Sequence, residues 1–209
     1  MTKIKICGMT CRSDIDCVNQ NDVDFAGFVM FFPKSKRNIS RSTAVELTKH
    51  LDPRIKSVAV VVSPTVEEIE IIENCGFDYV QIHGKLEDSV LESAKIPILR
   101  AFNVSNMGEL SACECCEKIA GYVFDAVEPG SGKVFDWSLV KNIHANSDKI
   151  ILLAGGLNPE NVSDAVRYIH PYGVDVSSGV ENDSGRGKDA SKVAEFVRRV
   201  RETEELMEK

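Results

Sequence analysis

Short apolar stretches alternate along the chain with amphipathic stretches in which apolar residues recur every three to four positions. Stretches of the first kind are typical of strands buried on both faces, and those of the second kind are typical of helices packed on a sheet. The pattern predicts strands over 3–7, 25–30, 57–62, 78–82, 97–102, 119–124, 149–154 and 173–176. It predicts helices over 12–21, 40–51, 63–76, 86–94, 105–117, 136–145 and 189 to about 205, and one that opens at Asn158 with Pro159 in its first turn.

The order of these elements predicts the fold class. Eight strand–helix units follow one another with no linker and no change in composition between them. Eight parallel strands joined by helices close into a (βα)8 TIM barrel of the α/β class, with active sites at the C-terminal ends of the strands. We therefore expect residues 1–209 to form a single barrel domain. The alternative is an open doubly wound sheet, whose usual glycine-rich first turn is not found after Cys7.

The first predicted strand carries charge where a buried strand should be apolar. Because side chains alternate between faces, Lys3, Lys5 and Cys7 share one face and two isoleucines share the other. In a barrel the isoleucines would face the helices and Lys5 the interior, where a charged side chain needs a partner. We expect Lys5 to pair with Asp175, or otherwise with Asp125, and its field to lower the pKa of Cys7.

Composition and charge exclude several classes of partner. Hydrophobic residues make up 43% of the 209 residues and the formal net charge is -7, which argues against a nucleic-acid-binding surface. No apolar run approaches the roughly 20 residues that span a bilayer, and no signal-peptide pattern opens the sequence. We expect a cytoplasmic protein with no nucleic-acid or membrane partner.

The chain has 7 cysteines, an odd number that favours reduced thiols. Cys113, Cys115 and Cys116 form a cluster, but no second group of ligands stands at zinc spacing from it. We interpret these thiols as structural and expect no metal site. A metal-binding or redox-sensing thiol protein is the alternative that this cluster supports.

Two loops at consecutive strand ends predict a phosphate site. Gly155 and Gly156 follow the seventh predicted strand, and Ser177, Ser178 and Gly179 follow the eighth. Barrels commonly bind phosphate in the loops after these two strands, where glycines let backbone N–H groups approach the oxygens and serine hydroxyls add donors. Either motif alone would indicate no more than a tight turn.

Four reactive side chains also fall just after predicted strands or in the adjoining loops, namely Cys7, Arg37, His83 and Asp125. Each has an ordinary structural interpretation, since a thiol packs as a small hydrophobe, an arginine is solvated, and histidine or aspartate forms local hydrogen bonds. At a barrel mouth the thiol is a candidate base and the carboxyl a candidate acid. Arg37 is a candidate ligand for a second anion such as a carboxylate.

Six segments, in order and spread over nearly the whole chain, carry a family resemblance: KICGMT at 5–10, FFPKSKR at 31–37, QIHG at 81–84, FDW at 135–137, LAGGL at 153–157 and GVDVSSGVE at 173–181. Together they resemble the phosphoribosylanthranilate isomerase family of tryptophan biosynthesis. The resemblance implies an Amadori rearrangement of N-(5-phosphoribosyl)anthranilate to 1-(2-carboxyphenylamino)-1-deoxyribulose 5-phosphate. It implies a monomer or homodimer, and a phosphorylated small molecule as the substrate.

The resemblance also implies roles for individual residues. Cys7 stands at the position of the general base and Asp125 at that of the general acid. Arg37 would hold the anthranilate end, with His83 and Asp175 as supporting pocket residues. The two glycine and serine loops would hold the phosphate, and no metal or organic cofactor is implied.

Two further alternatives stay open. Another phosphosugar barrel enzyme, such as an epimerase or the indole-forming synthase, would need metal-binding histidines or a lysine–glutamate pair at the strand ends. A phosphate-binding protein without catalysis would show affinity for the ligand without turnover.

Overall fold

A computed structural model of the chain describes residues 1–103, 116–125, 149–183 and 185–207. The helix predicted over 136–145 lies outside these residues, and so does all but the end of the one predicted over 105–117. Cys113 and Cys115 also lie outside them. Within the described part of the chain, no helix combines the length and the apolar character that crossing a bilayer requires.

The described strands form a closed parallel barrel. Its eight members are β1 (Lys3–Cys7), β2 (Phe25–Met30), β3 (Lys56–Val62), β4 (Tyr79–His83), β5 (Ile98–Phe102), β6 (Ile119–Phe124), β7 (Ile150–Leu153) and β8 (Gly173–Val176). Neighbours in this order pair with one another, and β1 pairs with both β2 and β8, which closes the ring. A two-residue strand, Asn38–Ile39, adds to the end of β2. The barrel prediction is confirmed, and the open sheet is wrong.

The described helices are α1 (Arg12–Asn19), α2 (Arg41–Thr48), α3 (Val66–Asn74), α4 (Asp88–Ser93), α5 (Val162–Ile169) and α6 (Ala190–Met207). Their starts follow from capping side chains. Ser40 Oγ accepts the N–H of Thr43 at the start of α2, and Thr65 forms a reciprocal capping box with Glu68 at the start of α3.

One predicted helix start is wrong. The helix expected to open at Asn158 begins instead at Val162. Asn158 Oδ1 accepts the N–H groups of Glu160 and Asn161 at 2.9 and 3.1 Å, and so closes a separate turn before the helix. The asparagine therefore does cap backbone donors, but those of a turn that precedes α5.

Side-chain alternation along the strands separates two buried regions. Ile4 and Ile6 of β1 belong to the larger core between the barrel and its helices. Apolar side chains on the opposite strand faces fill the interior around Cys7, namely Phe25, Val58, Val60, Leu99, Ala101, Val123, Leu152 and Ala154. The predicted division of the β1 faces is thus confirmed.

β1 contributes one fully buried charged side chain to the barrel interior, that of Lys5. It lies directly opposite Asp175 in the pairing of β1 with β8, so both side chains point to the same face. Its Nζ is 2.9 Å from Asp175 Oδ2, and the lysine side chain is 0% exposed. The expected pairing of Lys5 with Asp175 is confirmed. Lys3, one layer below, reaches Asp24 at 2.7 Å near the surface.

Candidate active site

A cavity of about 440 Å³ opens at the C-terminal ends of the strands. The candidate residues that line it are Cys7, Arg37, His83, Asp125, Gly155, Gly156, Asp175, Ser177 and Ser178. Gly179 is the candidate residue that does not line it. The fold therefore brings together side chains that are up to 171 positions apart, from Cys7 to Ser178, around one space.

Cys7 ends β1, and its surroundings are shaped by two glycines. Gly27 lies opposite it on β2, and a Cβ there would stand 2.8 Å from the Cys7 Sγ. Gly8 has φ +90°, a conformation that favours glycine, and its N–H and that of Met9 both donate to Gly27 O. The chain therefore turns sharply after Cys7 and leaves the thiol at the cavity wall.

The thiol of Cys7 does not have the lowered pKa that its lysine neighbour suggests. Burial raises the pKa of Cys7 above its ordinary value, and the Asp175 carboxylate raises it further. Lys5, Lys188 and Arg37 lower the Cys7 pKa, but together they do not overcome burial. The expected direction of the Lys5 effect agrees with this result, but burial removes water from around the thiolate and the net pKa of Cys7 is raised.

Arg37 is held at the cavity rim by Glu181. The Nε–H of Arg37 donates to the Glu181 carboxylate, and the arginine side chain is 17% exposed. Burial raises the pKa of Glu181, but hydrogen bonds from Arg37 and Lys36 outweigh it and the Glu181 pKa is lowered. Within the described residues, neither terminal Nη group of Arg37 donates to a protein acceptor. These two groups can therefore form a paired contact with a carboxylate.

His83 is a neutral imidazole at neutral pH. Burial, together with the positive charges of Lys5 and Arg100, lowers the pKa of His83 to about 4. The Gln81 amide nitrogen lies 2.8 Å from His83 Nε2, so Nε2 accepts and the ring proton is on Nδ1. Gln81 Oε1 is buried and has no hydrogen-bond partner in the described part of the chain.

Asp125 follows β6, three strands from Cys7 around the ring. Its side chain is half-buried, and its backbone N–H donates to Phe102 O at 2.8 Å. This bond continues the pairing of β6 with β5 by one residue and fixes where the aspartate leaves the sheet. The loop after Asp125 lies outside the described residues.

The two glycine and serine loops come together at one side of the cavity. Gly155 and Gly156 have φ +85° and +73°, a backbone conformation that glycine adopts more readily than other residues. Among the described residues, no protein acceptor takes the N–H groups of Gly155, Gly156 or Ser178. A Cβ at Gly179 would overlap Leu157 O, so Gly179 allows the loops to approach each other rather than lining the cavity.

Three polar residues in or next to the site were not among the candidates named from the sequence. Glu181 accepts from Arg37 although 144 positions separate them, Gln81 contacts His83, and Lys188 is buried beside Ser177. Gln81 was visible as a residue on the same strand face as His83. Glu181 stood at the end of a family segment, but nothing in the sequence indicated its partner, and Lys188 gave no signal beyond its charge.

The structure gives no support to a metal centre in the part of the chain that it describes. No group of three or more histidine, cysteine, aspartate or glutamate side chains there has the arrangement of a metal site. Cys116 is half-buried and unpaired, and the other two cysteines of its cluster lie outside the described residues.

Comparison with known proteins gives one consistent result. The family model for N-(5′-phosphoribosyl)anthranilate (PRA) isomerase matches residues 4–199. The chain is 42% identical to the N-(5′-phosphoribosyl)anthranilate isomerase of Acetivibrio thermocellus, over 98% of each chain.

Solved structures agree with this match. The phosphoribosylanthranilate isomerase of Thermotoga maritima superimposes with a TM-score of 0.84 at 34% identity, over 97% of this chain and 100% of that one. A phosphoribosylanthranilate isomerase in complex with reduced 1-(o-carboxyphenylamino)-1-deoxyribulose 5-phosphate superimposes with a TM-score of 0.82 at 32% identity, with the same coverage.

Proposed function

Because the chain belongs to the N-(5′-phosphoribosyl)anthranilate isomerase family, we propose that its cavity catalyses the Amadori rearrangement with Cys7 as general base and Asp125 as general acid. The isomerase activity in tryptophan biosynthesis follows from this membership, at 42% identity over 98% of the chain. The observation that carries the residue roles is that the thiol and the carboxyl line the same cavity as Arg37 and the Gly155, Gly156 and Ser178 loops, whose N–H groups can bind anions.

Two anionic ends of the substrate would fix its position. The phosphate is held by the free N–H groups of Gly155, Gly156 and Ser178, with the Ser178 hydroxyl as a further donor. The anthranilate carboxylate is held by the Nη groups of Arg37, whose Nε is already bound to Glu181. Binding at both ends places the ribose between Cys7 and Asp125, which supplies the orientation that acid–base catalysis requires.

The first chemical step opens the ribose ring. Asp125 gives its proton to the furanose oxygen, the bond from C1′ to that oxygen breaks, and a Schiff base forms between C1′ and the anthranilate nitrogen. The second step is removal of the C2′ proton by the Cys7 thiolate, which yields an enolamine. Protonation at C1′ and loss of the 2′-hydroxyl proton convert the enolamine into the ketone, so the product is an isomer of the substrate and no redox partner is needed.

His83 and Asp175 would contact the sugar. The neutral His83 ring has its Nδ1 proton available to donate, since its Nε2 accepts from Gln81. Asp175 Oδ1 is buried and has no hydrogen-bond partner among the described residues, whereas Oδ2 accepts from Lys5. A substrate hydroxyl that donates to Oδ1 would satisfy this acceptor.

Further expectations extend from the same proposal. We expect residues 1–209 to act as a single catalytic domain in the cytoplasm, as a monomer or homodimer. A phosphorylated small molecule is the expected partner, with no nucleic-acid or membrane partner and no metal or organic cofactor.

The assay that tests the function follows the anthranilate fluorescence of freshly prepared phosphoribosylanthranilate. Purified protein should abolish the substrate signal catalytically and should restore growth without tryptophan to a bacterium that lacks this isomerase. Binding of the substrate without turnover would contradict the proposal and favour a ligand-binding protein.

A further inference from the structure

Lys188 is a buried lysine that contacts the cavity-lining residue Ser177 and that the proposed steps do not use. It lies between the short helical turn Ser178–Val180 and α6, and its side chain is 0% exposed. Its Nζ donates to Ser177 O at 3.1 Å, and Ser177 Oγ in turn donates to Cys7 O at 3.0 Å. The backbone N–H of Lys188 donates to Asp14 Oδ1 at 2.7 Å, which fixes where the lysine enters the site.

The charges around the cavity are unevenly compensated. Inside the barrel, Lys5 and Asp175 form a one-to-one pair at 2.9 Å. At the rim, the single Glu181 carboxylate is shared by three cations, namely Lys36, Arg37 and Lys188. The Lys188 Nζ is 3.8 Å from Glu181, beyond hydrogen-bond distance and farther than the 2.9 Å of the Lys36 contact. The carboxylate therefore compensates Lys188 least.

The thiol of Cys7 and the ammonium of Lys188 act on each other electrostatically. Burial lowers the pKa of Lys188, and Arg37 lowers it as well, whereas the Cys7 sulfur, Glu181 and Asp14 raise it. In the other direction, Lys188 lowers the pKa of Cys7. The remaining charged groups that face the thiol are Lys5, Arg37 and Asp175. Lys5 lowers the pKa of Cys7 and its partner Asp175 raises it, so their effects on the thiol partly cancel. Lys188 is therefore the less compensated source of positive charge.

We propose that Lys188 is a positioning residue that supplies incompletely compensated positive charge near Cys7 and so increases the fraction of the thiol that is ionised and able to act as the general base. The lysine transfers no proton to or from the substrate, and acts only through the thiolate. The inference deepens the proposed function and rests on it, because it assumes that Cys7 is the base.

The test is the pH dependence with which iodoacetamide alkylates Cys7. Cleavage after Lys5 and Arg12 releases the peptide 6–12, in which fragment mass spectra distinguish Cys7 from Cys11. In Lys188→Gln the alkylation pKa of Cys7 should rise by about one unit, which lowers the thiolate fraction about tenfold at a given pH below the pKa.

Two variants serve as controls. Lys192→Gln removes a lysine four positions on, 41% exposed, that donates to Asp183 and Glu181 O, and should leave the alkylation pKa unchanged. Lys188→Arg keeps the charge and should also leave it unchanged. A rise in Lys188→Arg would overturn the inference even if Lys188→Gln did not fold, and so would an unshifted pKa in folded Lys188→Gln.

Kinetics separate this inference from the function on which it rests. The acidic limb of the kcat/KM profile should move upward in Lys188→Gln by the same amount as the alkylation pKa. A loss of rate with no movement of that limb would mean a structural role only and would overturn the inference. Full activity in Cys7→Ser would instead overturn the assignment of the base, whatever the alkylation of Lys188→Gln shows.

Discussion

Lys5 and Asp175 lie opposite each other on adjacent strands, with the Lys5 Nζ 2.9 Å from Asp175 Oδ2 and the lysine side chain fully buried. Burial alone would lower the pKa of Lys5, but Asp175 and the Cys7 sulfur outweigh it and the Lys5 pKa is raised. The lysine that sits nearest below the thiol is therefore charged but already paired. For this reason we assign the less compensated positive charge to Lys188 rather than to Lys5.

Removing Lys5 should destabilise the fold strongly. In Lys5→Met the free energy of unfolding in urea should fall by about 3–5 kcal/mol, because Asp175 is left as a buried charge without its partner. Lys3→Met is the matched control on the same strand face, where Lys3 is 41% exposed and pairs with Asp24, and it should cost about 1 kcal/mol or less. An equal fall in the free energy of unfolding in the two variants would contradict the conclusion that Lys5 is buried and Lys3 is partly exposed.

His83 should make the folded protein sensitive to acid. Its pKa is about 4 in the folded protein and about 6.5 when unfolded, so the unfolded state binds the proton first as the pH falls. The contribution of the neutral His83 to the free energy of unfolding is complete above about pH 6.5 and is lost as the pH falls toward 4. Between pH 7 and pH 5 the unfolding free energy of the parent should therefore fall by about 2 kcal/mol more than that of His83→Gln. Identical pH dependence in both proteins would show that His83 is not held neutral.

The space beside the Cys7 thiol should be required for catalysis. Gly27→Ala places a methyl group 2.8 Å from the Cys7 Sγ and should displace the sulfur, with about a 100-fold loss of kcat/KM. Gly76→Ala is the control, because its φ of +79° costs about 1–2 kcal/mol of stability but no atom lies within 4 Å of the new methyl. It should retain kcat/KM within about twofold of the parent. A Gly27→Ala enzyme with parental kcat/KM would refute the close packing.

Glu181 should determine how well Arg37 binds the substrate. Glu181→Gln removes the charged acceptor of the Arg37 Nε–H and should raise KM about tenfold or more, with a smaller effect on kcat. Lys36→Gln removes a 49% exposed partner of the same carboxylate and should change KM by less than about threefold. If kcat fell and KM stayed unchanged in Glu181→Gln, a role in binding would be excluded.

Much of the fold was predictable from the local pattern. The strands predicted over 25–30, 119–124 and 173–176 have those bounds in the structure, because short β-branched and aromatic runs between turns specify buried strands. The alternation of β1 was also sufficient to predict that Lys5 needs a carboxylate, and Asp175, the first of the two partners expected, is the one it contacts. The start of α5 was not predictable, since an asparagine before a proline can cap a helix or close a turn.

The sequence predicted most of the residues that line the site but not the pKa values of these residues. Strand ends and family segments identified the residues around the cavity, because parallel strands bring their C-terminal ends together. The pKa of Cys7 depends on how much water the thiol loses and on the distances to several charges, neither of which the sequence contains. The contact between Arg37 and Glu181 is likewise a consequence of the closed ring rather than of any local pattern.

The most direct measurement of the central claim is kcat/KM at neutral pH for Cys7→Ser and Asp125→Asn, with Lys192→Gln as the control. Serine is far less acidic than a thiol, and asparagine has no proton of comparable acidity to give to the ring oxygen. We expect each variant to lose at least about a thousandfold in kcat/KM while still binding inorganic phosphate competitively, and the control to keep parental activity. If either variant stays within about tenfold of the parent, the residue replaced in it is not the base or the acid of this reaction.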